Sequence, residues 1–201
     1  MDKKTLLVGL GSFLMILIAG IAVLLFTTPA SFRGTTYDKP YPAAPEFELT
    51  RSDGSSFRLS EMRGNVVVLF FGYTSCPDEC PTTMAKLKLA ISELTSKDAD
   101  RVKVLLVTVD PKRDTPELMQ TYAGRFNPEF IGLSGTAEQL ATVWQAYGIY
   151  RVEVPGTSPD NYSLDHTARI TMIDQDGNLR VSLGLDTSVE DIVYDLELLL
   201  K

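Results

Sequence analysis

The chain has 201 residues, 44% of them hydrophobic and 22% charged, with a formal net charge of −7. That length holds one ordinary domain plus a short appendage, and that mix argues against both a disordered chain and a multi-span membrane protein. The acidic balance repels phosphate backbones and so argues against nucleic acid as a partner.

From Leu6 to Phe26 the chain runs for 21 residues without a charge, long enough to span a bilayer as a helix. A cleaved signal peptide competes, but its apolar region is usually about 7–15 residues, and Pro29-Ala30-Ser31 fits a cleavage site poorly. Residues 1–26 are therefore expected to be a retained membrane anchor. Lys3 and Lys4 precede the run, and flanking positive charge stays cytoplasmic, which places the remaining domain outside. No Arg-rich presequence precedes the run, which favours a bacterial plasma membrane over a mitochondrial one.

Residues 27–45, rich in Thr, Pro, Ala and Gly, are expected to be an extended linker, leaving 46–201 as the domain. Phe47-Glu48-Leu49 and Phe57-Arg58-Leu59 alternate around Ser52-Asp53-Gly54, a small hairpin. Asn65–Phe71 is a β-branched and aromatic run, the pattern of a strand buried on both faces. After Cys76-Pro77-Asp78-Glu79-Cys80-Pro81, residues Met84, Leu87, Ala90, Ile91 and Leu94 recur at helical spacing, with Pro81 in the first turn. A second buried strand follows at Val102–Val109, then a helix from Thr115-Pro116 to about Gly124 and a short strand at Phe130–Leu133. Thr136–Tyr147 reads as a helix, Ile149–Val154 as a strand and Pro155–Ser163 as a loop. Thr167–Ile173 and Val181–Leu185 flank a turn at Gln175-Asp176-Gly177-Asn178, and Ser188–Leu200 closes as an amphipathic helix. Strands alternating with helices predict an α/β domain with a mixed sheet flanked by helices, an order that fits a thioredoxin-like topology.

The two cysteines, Cys76 and Cys80, therefore sit where a buried strand turns into a helix. Four residues apart, they share one side of a loose helical turn, and a helix N-terminus favours thiolates. A disulfide staple is the plainer reading, but closing so short a loop stabilises little, roughly 2 kcal/mol. The single histidine, His166, lies between a polar loop and a strand, and in a thioredoxin-like topology that loop lies beside the redox helix. Two thiolates and an imidazole form a soft donor set suited to Cu(I), and zinc with an open position is the rival. Asp165 is a candidate to orient the imidazole, with turn capping as its alternative role. Asp78 and Glu79 add negative charge between the thiols.

The segments Phe70-Phe71-Gly72-Tyr73-Thr74-Ser75-Cys76-Pro77-Asp78-Glu79-Cys80-Pro81, Val109-Asp110-Pro111-Lys112-Arg113-Asp114-Thr115-Pro116 and Asp165-His166-Thr167 resemble the Sco/SenC family of copper-binding cytochrome oxidase assembly proteins. The resemblance runs from about Pro45 to the C-terminus. It implies that Cys76, Cys80 and His166 hold Cu(I) or Cu(II). It also implies that the chain inserts copper into the binuclear site of oxidase subunit II, or reduces that site's cysteines beforehand. The implied partners are subunit II, another periplasmic copper chaperone or thiol reductant, and the lipid bilayer through the N-terminal helix. The alternative function is a thiol-disulfide oxidoreductase or redox sensor using the same pair. Peroxiredoxin-like chemistry is disfavoured, because Tyr73 stands where that family keeps a threonine. The Asp110–Pro116 segment reads as no more than a turn and a helix cap at Asp114-Thr115-Pro116.

Overall fold

The computed structural model describes residues 13–18, 20, 31–158 and 161–201. Residues 13–18 and 20 are helical, and the rest of the expected anchor lies outside the described residues. Among the described residues no helix is long and apolar enough to cross a membrane. Phe32–Lys201 forms one compact unit.

The strands are β1 (Thr35–Thr36), β2 (Glu48–Thr50), β3 (Ser56–Arg58), β4 (Val66–Gly72), β5 (Val102–Thr108), β6 (Ile131–Leu133), β7 (Arg151–Ser158), β8 (Asn161–His166), β9 (Ile170–Ile173) and β10 (Leu179–Leu183). The helices of this unit are α1 (Glu79–Glu93), α2 (Ser96–Ala99), α3 (Pro116–Gly124), α4 (Ala137–Ala146) and α5 (Val189–Leu200). Six strands form one mixed sheet in the order β1-β10-β9-β4-β5-β6. Within it β4, β5 and β6 are parallel, and β9, β10 and β1 continue antiparallel from β4.

The reason β4 sits centrally is legible in its side chains. All seven of its residues are buried, and each fully buried large apolar side chain contributes roughly 1.5–3 kcal/mol. On one face Phe70 and Gly72 look toward α1, where a Cβ added at Gly72 would lie 3.0 Å from the Cys80 sulfur. On the other, Phe71 meets the ring of Tyr147 at 5.6 Å. The buried positions of α1, Cys80, Thr83, Met84, Leu87, Ala90 and Ile91, follow the helical period, and this face also packs beside α5.

Two segments differ from expectation. The described part of the expected linker packs on the domain instead of standing free. Thr35 and Thr36 pair with Ser182 and Val181, and the backbone N–H groups of Arg33 and Gly34 donate to the buried Asp195 carboxylate at 2.7 and 3.0 Å. The cause is non-local pairing, which a Pro- and Thr-rich stretch does not advertise. The expected loop at Pro155–Ser163 is largely hairpin. β7 and β8 form a separate two-stranded sheet, and Pro155 is tolerated because such a strand needs no complete ladder.

Candidate metal centre

Beyond Gly72 the chain turns through Tyr73–Asp78 and enters α1 at Glu79. The Cys76 N–H donates to the Tyr73 carbonyl at 3.3 Å, so Cys76 precedes the helix while Cys80 lies in its first turn. Thr74 fixes this loop, since its N–H and hydroxyl both donate to the Asp114 carboxylate at 3.2 and 2.5 Å. Cys80 is fully buried and Cys76 half-buried, and both are free thiols. Asp78 and Glu79 are exposed.

The two sulfurs are not equivalent. The Cys80 backbone N–H points at the Cys76 sulfur, 3.4 Å away. The Cys76 thiol is pulled down to about 5, chiefly by the Cys80 S–H donating to it. Burial opposes this, while the N–H groups of Cys80 and Asp78 and the His166 imidazole assist. Cys80 is pushed far up, because it keeps the proton that Cys76 leans on and because it is buried. The pair thus behaves as one thiolate and one thiol sharing a proton.

His166 ends β8 on the face that carries Leu164 and Tyr162, paired across the hairpin with Arg151. Its Nδ1 lies 3.1 Å from the Thr167 carbonyl; a carbonyl only accepts, so Nδ1 is the donor, and in the neutral ring Nε2 then carries the lone pair. That Nε2 is buried and has no partner. A buried polar atom without a partner is costly, and a cation meeting it would relieve that cost. The Tyr73 ring stands edge-on to the imidazole, 5.9 Å between centroids. The Tyr73 hydroxyl accepts the Leu164 N–H at 3.3 Å, so this one tyrosine joins the cysteine loop to the histidine strand.

Among the described residues no three His, Cys, Asp or Glu side chains lie close enough together to hold a metal ion. The imidazole is near enough to lower the Cys76 thiol by its charge, but the three side chains do not close into one cluster. Asp165 is not brought into this set. It pairs with Val152 on the opposite face of the hairpin and is exposed, and the Thr167 carbonyl takes the orienting role expected of it.

Two thiols of which one ionises readily, and an imidazole nitrogen left bare, suit a soft metal. The SCO1/SenC family model matches residues 35–201. The chain belongs to the SCO1/SenC family.

A relative from Rickettsia felis, an SCO2-like protein, is 33% identical over 96% of this chain and 92% of its own length. Among solved structures, apo Sco1 from Thermus thermophilus is 38% identical, with a TM-score of 0.77 over 86% of this chain and 99% of that one. ScoI from Bradyrhizobium japonicum, solved with copper bound, is 35% identical, with a TM-score of 0.71 over 78% of this chain and 99% of that one. The expected mixed α/β architecture is thus the one that SCO1/SenC proteins share.

Sequence reasoning left the Asp110–Asp114 segment of this SCO1/SenC chain without a role beyond turn and cap. Thr115 is indeed the cap of α3, accepting the Leu118 N–H at 3.2 Å. Asp110 and Asp114, however, are buried and reach elsewhere. Asp110 receives the Arg113 guanidinium and the Tyr162 hydroxyl, the latter at 2.7 Å. Burial and that hydrogen bond push the Tyr162 phenol up to about 12. Asp114 accepts from Thr74 and, at 2.7 Å, from Thr108, while burial pushes its carboxyl up. The one sequence signal for this was Asp110 just beyond a largely apolar strand, with Asp114 four residues further on.

Proposed function

We propose that this chain carries copper on Cys76, Cys80 and His166 and passes it to the binuclear copper site of cytochrome c oxidase subunit II, or reduces that site's cysteines beforehand. The observation that carries the reading is the bare, buried Nε2 of His166 together with a thiol pair of which Cys76 ionises readily. Copper is the cargo here. Cys76 offers a thiolate at neutral pH, Cys80 yields its proton on binding, and the Nε2 lone pair completes a soft three-donor set. Release proceeds by exchange of these donors for those of the acceptor, with no bond of the chain broken. Residues 6–26 anchor the chain in a bacterial plasma membrane with the domain on the outer side, and the acidic surface suits a basic or metal-carrying partner.

The test is Cu(I) affinity of the reduced full-length chain in detergent, measured by competition with a chromophoric chelator. His166→Ala is expected to weaken binding by at least tenfold, and Cys76→Ala to abolish tight binding. Unchanged affinity in His166→Ala would refute the ligand set. For the anchor, a chain lacking residues 1–26 is expected to be soluble and to bind copper; persistent insolubility would contradict the boundary.

A second reading, thiol-disulfide exchange, is favoured by the asymmetry of the pair. The half-buried Cys76 thiolate would attack a partner disulfide and expel one partner thiolate. Cys80 would then lose its proton and attack the mixed disulfide, releasing the partner as a dithiol and leaving Cys76 and Cys80 joined. An external dithiol reductant would restore the pair. Retention of this exchange in His166→Ala, with copper binding intact in the parent, would mean that both uses coexist.

A further inference from the structure

The hairpin that carries His166 stands apart from the main sheet, and a two-stranded hairpin alone is marginally stable in water. Its position must come from what its inward face touches. Arg113 makes two of those contacts, both to Tyr162. Its Nε donates to the buried Asp110 carboxylate, and its Nη1 donates to the Tyr162 carbonyl at 3.0 Å. Its guanidinium also lies 3.8 Å from the centre of the Tyr162 ring and 5.8 Å from that of Tyr73. Tyr162 closes the circuit by donating its hydroxyl to Asp110. Lys112 adds an ion pair to Glu153 of β7 at 2.8 Å.

Immediately beyond Arg113, Asp114 holds Thr74 of the cysteine loop. The segment is itself a tight turn, with the N–H groups of Arg113 and Asp114 both donating to the Asp110 carbonyl at 3.1 and 2.9 Å. One short turn of chain therefore grips both halves of the site, the thiol loop by Asp114 and the imidazole hairpin by Arg113. Tyr162 is four residues from His166, about 13 Å along an extended strand, and the three donors stand short of ligating distance. The grip at Tyr162 thus fixes the strand that carries His166, and Leu164 fixes it again through the Tyr73 hydroxyl.

We propose that Arg113 is a positioning residue for copper: it clasps the β7–β8 hairpin so that His166 is held toward the thiols. This rests on the reading of His166 as a ligand. A planar guanidinium does here what an ammonium cannot, because it serves a carboxylate, a carbonyl and an aromatic face at once. Groups that orient a metal-binding histidine typically contribute about 10–100-fold in affinity, and Arg113, acting at a remove, is expected at the lower end.

The experiment is a double-mutant cycle of Arg113→Lys and His166→Ala in the full-length chain. The readouts are Cu(I) affinity by chelator competition and, without metal, hydrogen exchange at the Leu164 amide. Lysine keeps the charge beside Asp110, and circular dichroism confirms that the fold is retained. The expected result is about tenfold weaker binding and faster Leu164 exchange when His166 is present, with no further loss of affinity when it is absent. Equal losses in both backgrounds, or no loss in either, would overturn the positioning role. Should His166→Ala alone leave affinity unchanged, the ligand reading itself fails and the inference falls with it, a result recognisably different from the other two.

Discussion

Replacing Cys80 by alanine removes the S–H that does most to hold Cys76 ionised, so the Cys76 titration is expected to move up from about 5 toward the ordinary thiol value. The readout is the rate of iodoacetamide alkylation of the reduced chain against pH. Cys80 is buried, so the signal reports Cys76. The choice of pH decides whether the assay can see the effect. A thiolate of lower basicity is also a weaker nucleophile, by about 0.4–0.5 log units per pKa unit, so the Cys76 plateau should lie roughly 40-fold below that of an ordinary thiolate. At pH 7 an ordinary thiol of pKa about 8.5 is only about 3% ionised, and the two factors nearly cancel. At pH 5.5 Cys76 is about three-quarters ionised and an ordinary thiol about a thousandth, which leaves the parent roughly 20-fold faster. The parent profile should be flat from neutral pH down to about 6 and fall tenfold per unit below about 5. A half-rise near 8.5 in the parent, or a profile that Cys80→Ala leaves in place, would refute the shared-proton account.

The same pair makes stability depend on pH. Between about pH 5 and 8.5 the unfolded chain holds both thiol protons and the folded pair one, so its contribution rises with pH across that window and is lost as pH falls toward about 5. Above about 8.5 the unfolded chain releases both while Cys80 keeps its own, and the contribution declines again. Urea midpoints of the reduced parent and of a Cys76→Ala, Cys80→Ala double variant should differ most near pH 8–9 on this account, and a difference largest at pH 5 would contradict it. Gly72→Ala places a methyl 3.0 Å from the Cys80 sulfur and 3.2 Å from the Phe70 ring. It should cost about 1–3 kcal/mol in urea unfolding and raise the Cys76 titration as the sulfurs separate; an unchanged titration would show that the contact has slack. Asp195→Ala leaves the N–H groups of Arg33 and Gly34 without their acceptor. A loss of about 1–3 kcal/mol, with faster proteolysis near Arg33 and unaltered copper affinity, is expected, and resistance equal to the parent would disprove the clip.

The central strands were legible because Val66–Phe71 and Val102–Val107 carry their burial in their own composition, and α1 because its apolar residues keep the helical period. β1 was not, since Thr35 and Thr36 gain strand character only from Val181 and Ser182, far along the chain. The β7–β8 hairpin was half legible: Pro155 and Gly156 read as breakers, and only the cross-strand register shows that they sit in an arm with Tyr162 opposite Pro155. Of the site, Cys76 and Cys80 could be placed from a strand-to-helix junction and His166 only through the topology. Arg113, Tyr162 and Tyr73 escaped because their roles lie in contacts between elements remote in sequence. Asp165 misled for the converse reason, since adjacency to His166 in a strand means the opposite face.

The six-stranded sheet ends on β1 and β6, its two shortest members, with two and three residues. An edge so brief offers a neighbouring chain almost no ladder of free N–H and C=O groups to extend. Self-association through strand addition is thereby discouraged at both ends of the sheet, which matters for a domain with a long apolar centre.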